Sequence, residues 1–267
     1  MEKKSIKKAR ILKNEALTPK IYEMILETGK ISETIPGQFI NLYCKDGSRL
    51  LPRPISICEV DEKSGNFRLI YKVLGKGTEE FTSLSINEEI DYLGPLGSGF
   101  TLETTDAAVK KNAEYKEILI IGGGVGVPPL LELSKRLKGK KRVLLGFETE
   151  SILVEDFKKV AAEVSVATTT GTEGIKGTVM DLLEQREYMP DQIYSCGPKG
   201  MLKAVQTWAR ERNIPSELSL EERMACGIGA CLVCTCKTKE GPHEADWNYQ
   251  RVCKDGPVFN GEEVMFE

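Results

Sequence analysis

Cys226-Gly227-Ile228-Gly229-Ala230-Cys231-Leu232-Val233-Cys234 sets three cysteines at C-x4-C-x2-C spacing, and Cys253 follows after eighteen intervening residues. Four thiolates at this spacing suit a two-iron, two-sulfur cluster, whose small inorganic core must be wrapped closely by its loop. Gly227, Gly229 and Ala230 keep the ligand loop slim. A cluster exchanges single electrons, so the rest of the chain should hold a group that delivers or accepts them. Cys236, two residues past Cys234, is a rival for the fourth place, but its closeness makes wrapping awkward and Cys253 has the better reach. His243 lies in the same region as the only histidine, and a Rieske-like centre needs two, so it reads as a loop residue.

Working outward, eight cysteines in a chain with no signal-like apolar stretch after its basic start argue for metal ligation in a cytoplasmic setting more than for disulfides. The longest apolar region, Ile118 to Leu133, is interrupted by four glycines and two prolines and is too short to span a bilayer. A net charge of −3 gives no electrostatic case for nucleic acid. Lys3, Lys4, Lys7, Lys8 and Arg10 read as a solvated terminus and strand.

Residues 1–100 read as short strands, clearest at 21–27, 38–44, 55–60 and 67–74. Pro36-Gly37, Ser64-Gly65-Asn66 and Gly94-Pro95-Leu96-Gly97 serve as turn signals, and 78–84 is the one helical candidate. That pattern predicts an antiparallel β-barrel. Residues 101–116 carry little periodicity and read as a linker. From 117 to 213 strands (117–121, 142–147, 164–168, 192–196) alternate with helices (128–137, 199–212), which predicts an α/β parallel-sheet nucleotide-binding domain. The alternation is expected to stop at Pro215, leaving 214–267 as a small Cys-rich C-terminal module held together by its cluster. The fold class is therefore multi-domain: barrel, parallel-sheet domain and 2Fe-2S module.

Several motifs carry chemistry. In Arg53-Pro54-Ile55-Ser56 an arginine at a strand edge can grip a phosphate with two hydrogen bonds, and Ser56 can meet a flavin ring. A strand with an exposed arginine is the plain alternative. Gly75-Lys76-Gly77-Thr78 opens the helical candidate, where free amides suit a phosphate and Thr78 can cap; a simple turn is again the alternative. Gly122, Gly123, Gly124 and Gly126 form a glycine-rich strand-to-helix junction suited to a pyrophosphate, although Val127 stands where a G-x-G-x-x-G fingerprint has its third glycine. Cys196-Gly197-Pro198 ends a later strand of the same sheet, which would put Cys196, the candidate catalytic residue, opposite a nicotinamide. Glu148 or Glu150, just past a strand, can accept hydrogen bonds from a ribose, a preference for NAD over NADP. Cys44 and Cys58 read as small apolar groups of the barrel.

Together these motifs resemble the ferredoxin–NADP reductase superfamily, and within it the electron-transfer subunits of class B dihydroorotate dehydrogenases. The likeness spans nearly the whole chain. Arg53 to Ser56 and Gly75 to Thr78 match that family's two FAD motifs, and Ile70, Tyr71 and Lys72 lie on the strand that lines FAD there. Glu222 to Cys231 and Arg251 to Phe259 read like its cluster segments. Val233 departs from the usual glycine before the third ligand, and the stretch from Cys234 to Cys253 is longer than usual. The resemblance implies FAD, a 2Fe-2S cluster on Cys226, Cys231, Cys234 and Cys253, and NAD as exchangeable co-substrate. It implies an FMN-containing dihydroorotate dehydrogenase catalytic subunit as partner, in a heterotetramer of two plus two. Nicotinamide exchanges two electrons and a cluster one, so a flavin must stand between them. The alternative is the small subunit of an NAD(P)H–ferredoxin oxidoreductase, whose first cluster ligand is typically aspartate; Cys226 and Arg53 speak against it. Zinc in a non-catalytic module is a further alternative that the cysteine spacing disfavours.

Overall fold

A computed structural model describes residues 5–29, 34–61, 63–102, 117–185, 187–240 and 246–266. Most of the expected linker, and His243, lie outside the described residues. The first strands are β1 (Lys7–Thr18), β2 (Ile21–Glu27), β3 (Phe39–Leu42), β4 (Arg53–Val60), β5 (Phe67–Lys72) and, after helix α1 (Lys76–Thr82), β6 (Glu89–Leu96). They close an antiparallel barrel in the order β1-β2-β5-β4-β3-β6. Closure removes sheet edges, so the alternating apolar residues Ile11, Met24, Leu26, Ile40, Leu42, Phe67, Leu69, Tyr71 and Tyr92 fill one interior. Gly94-Pro95-Leu96 is not a turn. It belongs to β6, where Phe39 faces Leu96 but Asn41 faces Leu93, one extra residue on β6. A bulge is one of the few strand settings that accepts glycine and proline, which explains why the pair read as a turn in sequence.

The second unit runs β7 (Glu117–Gly123), α2 (Pro129–Arg136), β8 (Lys140–Phe147), α3 (Val154–Lys158), β9 (Glu163–Thr168), β10 (Ile175–Lys176), α4 (Val179–Glu184), β11 (Gln192–Cys196) and α5 (Lys199–Glu211). Ile118 to Ile121 are apolar on both faces, as a central parallel strand must be. Proline opens α2, where its missing N–H costs nothing, and Lys135 and Arg136 in the last turn complement the helix dipole. Thr178 caps α4 in a reciprocal pair with Asp181.

The expected stop at Pro215 is corrected. β12 (Ser216–Ser219) pairs parallel with β11, and after the hairpin β13 (Thr235–Lys239) and β14 (Trp247–Arg251), β15 (Val258–Asn260) pairs antiparallel with β12. The sheet order is β10-β9-β8-β7-β11-β12-β15. The Cys-rich context of 214–267 hid two short strands, because the edge of a sheet needs only three or four residues. Cys234, Val252, Cys253, Phe259 and Val264 bury themselves in the core under that sheet, not in a core of their own.

Barrel and sheet meet across a polar seam. Arg68 on β5 binds Glu23 (2.6 Å), Glu59 (3.2 Å) and, on α3, Asp156 (3.1 Å). Lys135 on α2 reaches Glu59, and the backbone N–H of Val60 donates to Glu132. Arg136 donates to the Thr34 carbonyl at 2.7 Å. Beside these pairs Phe39, Leu93 and Leu96 from the barrel enter the apolar core under the sheet.

Candidate functional site

A cleft of about 1070 Å³ opens where barrel, sheet and Cys-rich segment converge. Arg53, Pro54, Ile55, Ser56, Ile70, Tyr71, Lys72, Gly77 and Thr78 line its barrel wall. Gly126, Cys196 and Gly197 line the sheet side, and Ala225 and Val233 the cluster side. These residues span 181 positions of sequence (53 to 233), and the fold brings them onto one concavity.

The barrel wall has the chemistry of a phosphate cradle. Arg53 Nη1 donates to the Leu51 carbonyl at 2.5 Å, which anchors the guanidinium. Among the described residues Nε and Nη2 have no hydrogen-bond partner, so two donors of this cleft-lining arginine are uncommitted. They lie directly over Gly77: any Cβ there would overlap the guanidinium. The two motifs, one on β4 and one at the start of α1, are thus in contact. The amides of Lys76, Gly77 and Thr78 form the first turn of α1 and have no acceptor within the helix. Thr78 spends its hydroxyl within the loop. Its Oγ1 accepts from the N–H groups of Leu74 (2.9 Å) and Gly75 (3.3 Å) and donates to the Gly75 carbonyl (3.1 Å), shaping the loop that precedes the helix. Cys44 packs beneath, its Sγ 3.9 Å from the Gly77 carbonyl, and Cys58 is fully buried with its thiol pushed up by desolvation.

On the sheet side the four glycines divide. Gly122 and Gly123 are buried in β7, with Val127 and Leu130 packed against the first and Met201 and Pro198 against the second. Gly126 abuts the backbone of Cys196 and Gly197. Gly124, with φ +54°, has open space around its α-carbon. The loop between strand and helix therefore offers Gly124 at its free edge, while Gly122, Gly123 and Gly126 allow close packing, as a glycine does in dinucleotide-binding turns. Cys196 lies at the carboxyl end of β11 on the cleft wall. Burial pushes its thiol up to about 12, against the pull of a hydrogen bond with Ser219, so at neutral pH it is an uncharged thiol. Glu148 and Glu150 are exposed just past β8. The Glu148 carbonyl holds Thr169 (2.8 Å) and Thr170 (3.2 Å), leaving its carboxylate at the sheet's carboxyl edge, outside the cleft lining.

The ligand cysteines come together in pairs. The Cys226 thiol interacts with that of Cys231, and the Cys253 thiol with that of Cys234. The Gly229 N–H donates to Cys253 Sγ at 3.1 Å, Ala230 N–H to Cys226 Sγ at 3.3 Å, and Cys253 N–H to Cys234 Sγ at 3.4 Å. Desolvation opposes ionisation of Cys226, but backbone amides of Ile228, Cys231 and Ala230 outweigh it and draw the thiol down to about 6. Burial and the neighbouring Cys234 push Cys253 up to about 12. Among the described residues no three or more His, Cys, Asp or Glu side chains converge on a single ion position. Two thiol pairs fit a diiron core, with two thiolates on each iron, and do not fit a mononuclear zinc site. Cys236 is apart from them, half-buried beside a separate cavity of about 170 Å³, with desolvation pushing its thiol up to about 12.

The ligand loop faces two ways. Cys234 and Cys253 are buried and Val233 borders the cleft, whereas Cys231 is exposed, with Ile228 and Leu232 showing 47% and 62% of their surface. Two cleft residues carried no sequence signal: Leu50 and Leu51, both strongly exposed. Glu222 to Met224, which open the expected cluster segment, also line the cleft.

Residues 221–265 match the iron–sulfur cluster binding domain of dihydroorotate dehydrogenase B. A protein of Caldanaerobacter subterraneus subsp. tengcongensis named dihydroorotate dehydrogenase B (NAD(+)), electron transfer subunit, is 41% identical, covering 97% of this chain and 98% of its own. A protein of the same name from Listeria welshimeri is 42% identical, over 96% and 97%. The chain belongs to this family of electron transfer subunits. Among solved structures it is similar to the NADH-dependent reduced ferredoxin-NADP oxidoreductase studied for flavin-based electron bifurcation, at 28% identity, TM-score 0.82, and 97% and 90% coverage. A flavohemoglobin from Malassezia yamatoensis shares the fold at 20% identity and TM-score 0.64. The rival reading, a ferredoxin-reducing small subunit, shares the architecture, but the dihydroorotate dehydrogenase B family is the one met at about 40% identity along the full length.

Proposed function

We propose that this chain is the subunit that carries electrons between a dihydroorotate-oxidising catalytic subunit and NAD in pyrimidine biosynthesis. FAD occupies the large cleft, and a 2Fe-2S cluster sits on the two cysteine pairs. The supporting observation is the shared wall of that cleft, where the Arg53–Gly77 cradle, the Cys196-Gly197 strand end and Val233 of the cluster loop all face one space. A flavin there meets a nicotinamide on one side and a cluster on the other, which is what conversion between one- and two-electron carriers requires.

The residues divide the work. Arg53 and the first turn of α1 hold the flavin's phosphates; Pro54, Ile55, Ser56, Ile70, Tyr71 and Lys72 bound the remainder of the cofactor. Gly124 and Gly126 bring backbone close to the dinucleotide's phosphates, and Glu148 meets a ribose. Cys196, kept neutral by burial, borders the nicotinamide without a charge that would disturb hydride movement. The bound flavin supplies the chemistry of electron splitting; the protein supplies position. The partner is the FMN-bearing catalytic subunit, in an assembly of two plus two. The exposed Ile228 and Leu232 around Cys231 fit a cluster that faces it. Among the described residues no helix is long and apolar enough to cross a membrane.

The test is co-expression with the catalytic subunit, followed by assay of NAD reduction driven by dihydroorotate. Activity that needs both subunits, with FAD, iron and acid-labile sulfide in this chain, supports the proposal. No dihydroorotate activity but ready ferredoxin reduction would overturn it.

A further inference from the structure

Asn41 lies at the centre of β3 with none of its surface exposed. Side chains alternate along a strand, so Asn41 shares its face of the barrel with Phe39, which lines the flavin cleft. In the β3–β4 ladder it stands directly opposite Pro54, of the Arg53 to Ser56 motif, as Phe39 stands opposite Ser56. That face borders the cleft through Phe39, Pro54 and Ser56. Yet the Asn41 carboxamide turns to the cluster loop: Nδ2 donates to the Cys226 carbonyl at 3.3 Å, across 185 residues of sequence. The neighbouring Gly227, at φ +67°, packs its α-carbon onto the same carboxamide, and any side chain there would overlap it. A carbonyl only accepts, so the amide must present its nitrogen, and Oδ1 is left buried with no partner among the described residues. An unpaired buried acceptor lowers stability. An apolar residue would avoid that penalty, so the carboxamide is explained by what its nitrogen holds.

We propose that Asn41 is a positioning residue for electron transfer. Its carboxamide pins the peptide that follows the first cluster ligand to the flavin face of the barrel, and thereby sets the distance between cluster and flavin and the polarity at the cluster's edge. With both groups bound, single electrons would cross this junction between flavin and cluster, the flavin's ring protons being exchanged with solvent. The inference rests on reading Cys226 as a cluster ligand.

The test uses the assembled complex with cofactors loaded, comparing wild type with Asn41→Asp and Asn41→Ala. Asp keeps shape and one oxygen but loses the N–H donor. Expected in both variants are normal FAD, iron and sulfide content, flavin reduction by NADH within about twofold of wild type, a shifted cluster potential and altered g-values of the reduced cluster. Cluster reduction, followed at its own wavelength, should slow by about tenfold, the lower end of what outer-shell partners of metal sites contribute. Wild-type g-values, potential and cluster-reduction rate in a loaded Asn41→Asp variant would overturn the proposal. Loss of the cluster with FAD retained in both variants supports it, whereas loss of FAD as well marks a general folding role and overturns it. Failure of the underlying reading is distinguishable, because wild type itself would then hold no iron or sulfide.

Discussion

The barrel and the cluster segment solve the same problem of cohesion in opposite ways. The barrel closes on itself, and Ile11, Met24, Phe67, Tyr71 and Tyr92 fill an interior that needs no other part of the chain. The cluster segment leaves Cys231, Ile228, Leu232 and Val233 largely in the open and lends its few buried side chains to the core under the sheet. One region is held by removal of apolar surface from water, the other by borrowed packing and metal–thiolate bonds. The first should tolerate loss of its cofactor and the second should not.

The sharpest way to break this comparison is to remove one ligand. Cys253→Ser should abolish iron and sulfide binding and reduce dihydroorotate-linked NAD reduction at least about a hundredfold, the scale of lost metal ligation. NADH oxidation by an artificial acceptor through FAD should stay within about twofold, and limited proteolysis should cut first between 221 and 265. Equal loss of both activities would show that the two regions are one cooperative unit.

A smaller effect is expected from the barrel's cofactor grip. Arg53→Ala removes a charge-assisted contact of about 1.5–3 kcal/mol, which weakens FAD binding roughly 10- to 100-fold and leaves iron content unchanged. Gly77→Ala should cost about as much, by displacing the guanidinium. In the double variant the second change should add little, since both act on one contact. Additive losses in titrations of the apoprotein with FAD would separate the two residues.

The polar seam offers a third test. Burial raises the Glu23 carboxyl, but hydrogen bonds and charge from Lys13 and Arg68 outweigh it and hold the group below its usual 4.5. A lowered folded value means stability that is present above about pH 4.5 and lost as pH falls through the folded value. Glu23→Gln should therefore cost about 2 kcal/mol at pH 7, and the difference from wild type should shrink on acidification below 4.5, as read by urea unfolding at several pH values. A difference that persists undiminished at pH 3 would refute the ionic account. The smallest expected effect is at Leu232, a non-glycine residue at φ +62°. Leu232→Gly should relieve about 1 kcal/mol of strain and slow cluster loss to a chelator slightly.

Much of this architecture was legible in the chain because its signals are local. The C-x4-C-x2-C run, the glycine-rich turn after an apolar strand, and the two short motifs of the barrel each depend on neighbours within ten residues. What escaped was either short or distant. β12 and β15 are four and three residues long and are strands only because a sheet edge is there to receive them. Gly94-Pro95 reads as a turn unless the partner strand is known. Asn41 meets Cys226 only through the fold, and no local pattern marks a lone asparagine in an apolar strand.

The position of β15 has a temporal meaning. The barrel is complete by Leu96, but the sheet takes its last strand from Val258–Asn260, five residues beyond the final ligand. A ribosome delivers the barrel before the ligands, so the flavin's house stands before the wire to it is strung. A nascent or truncated chain can thus be a flavoprotein before it is a conductor, and the relay becomes continuous only once the ligand segment and β15 have followed.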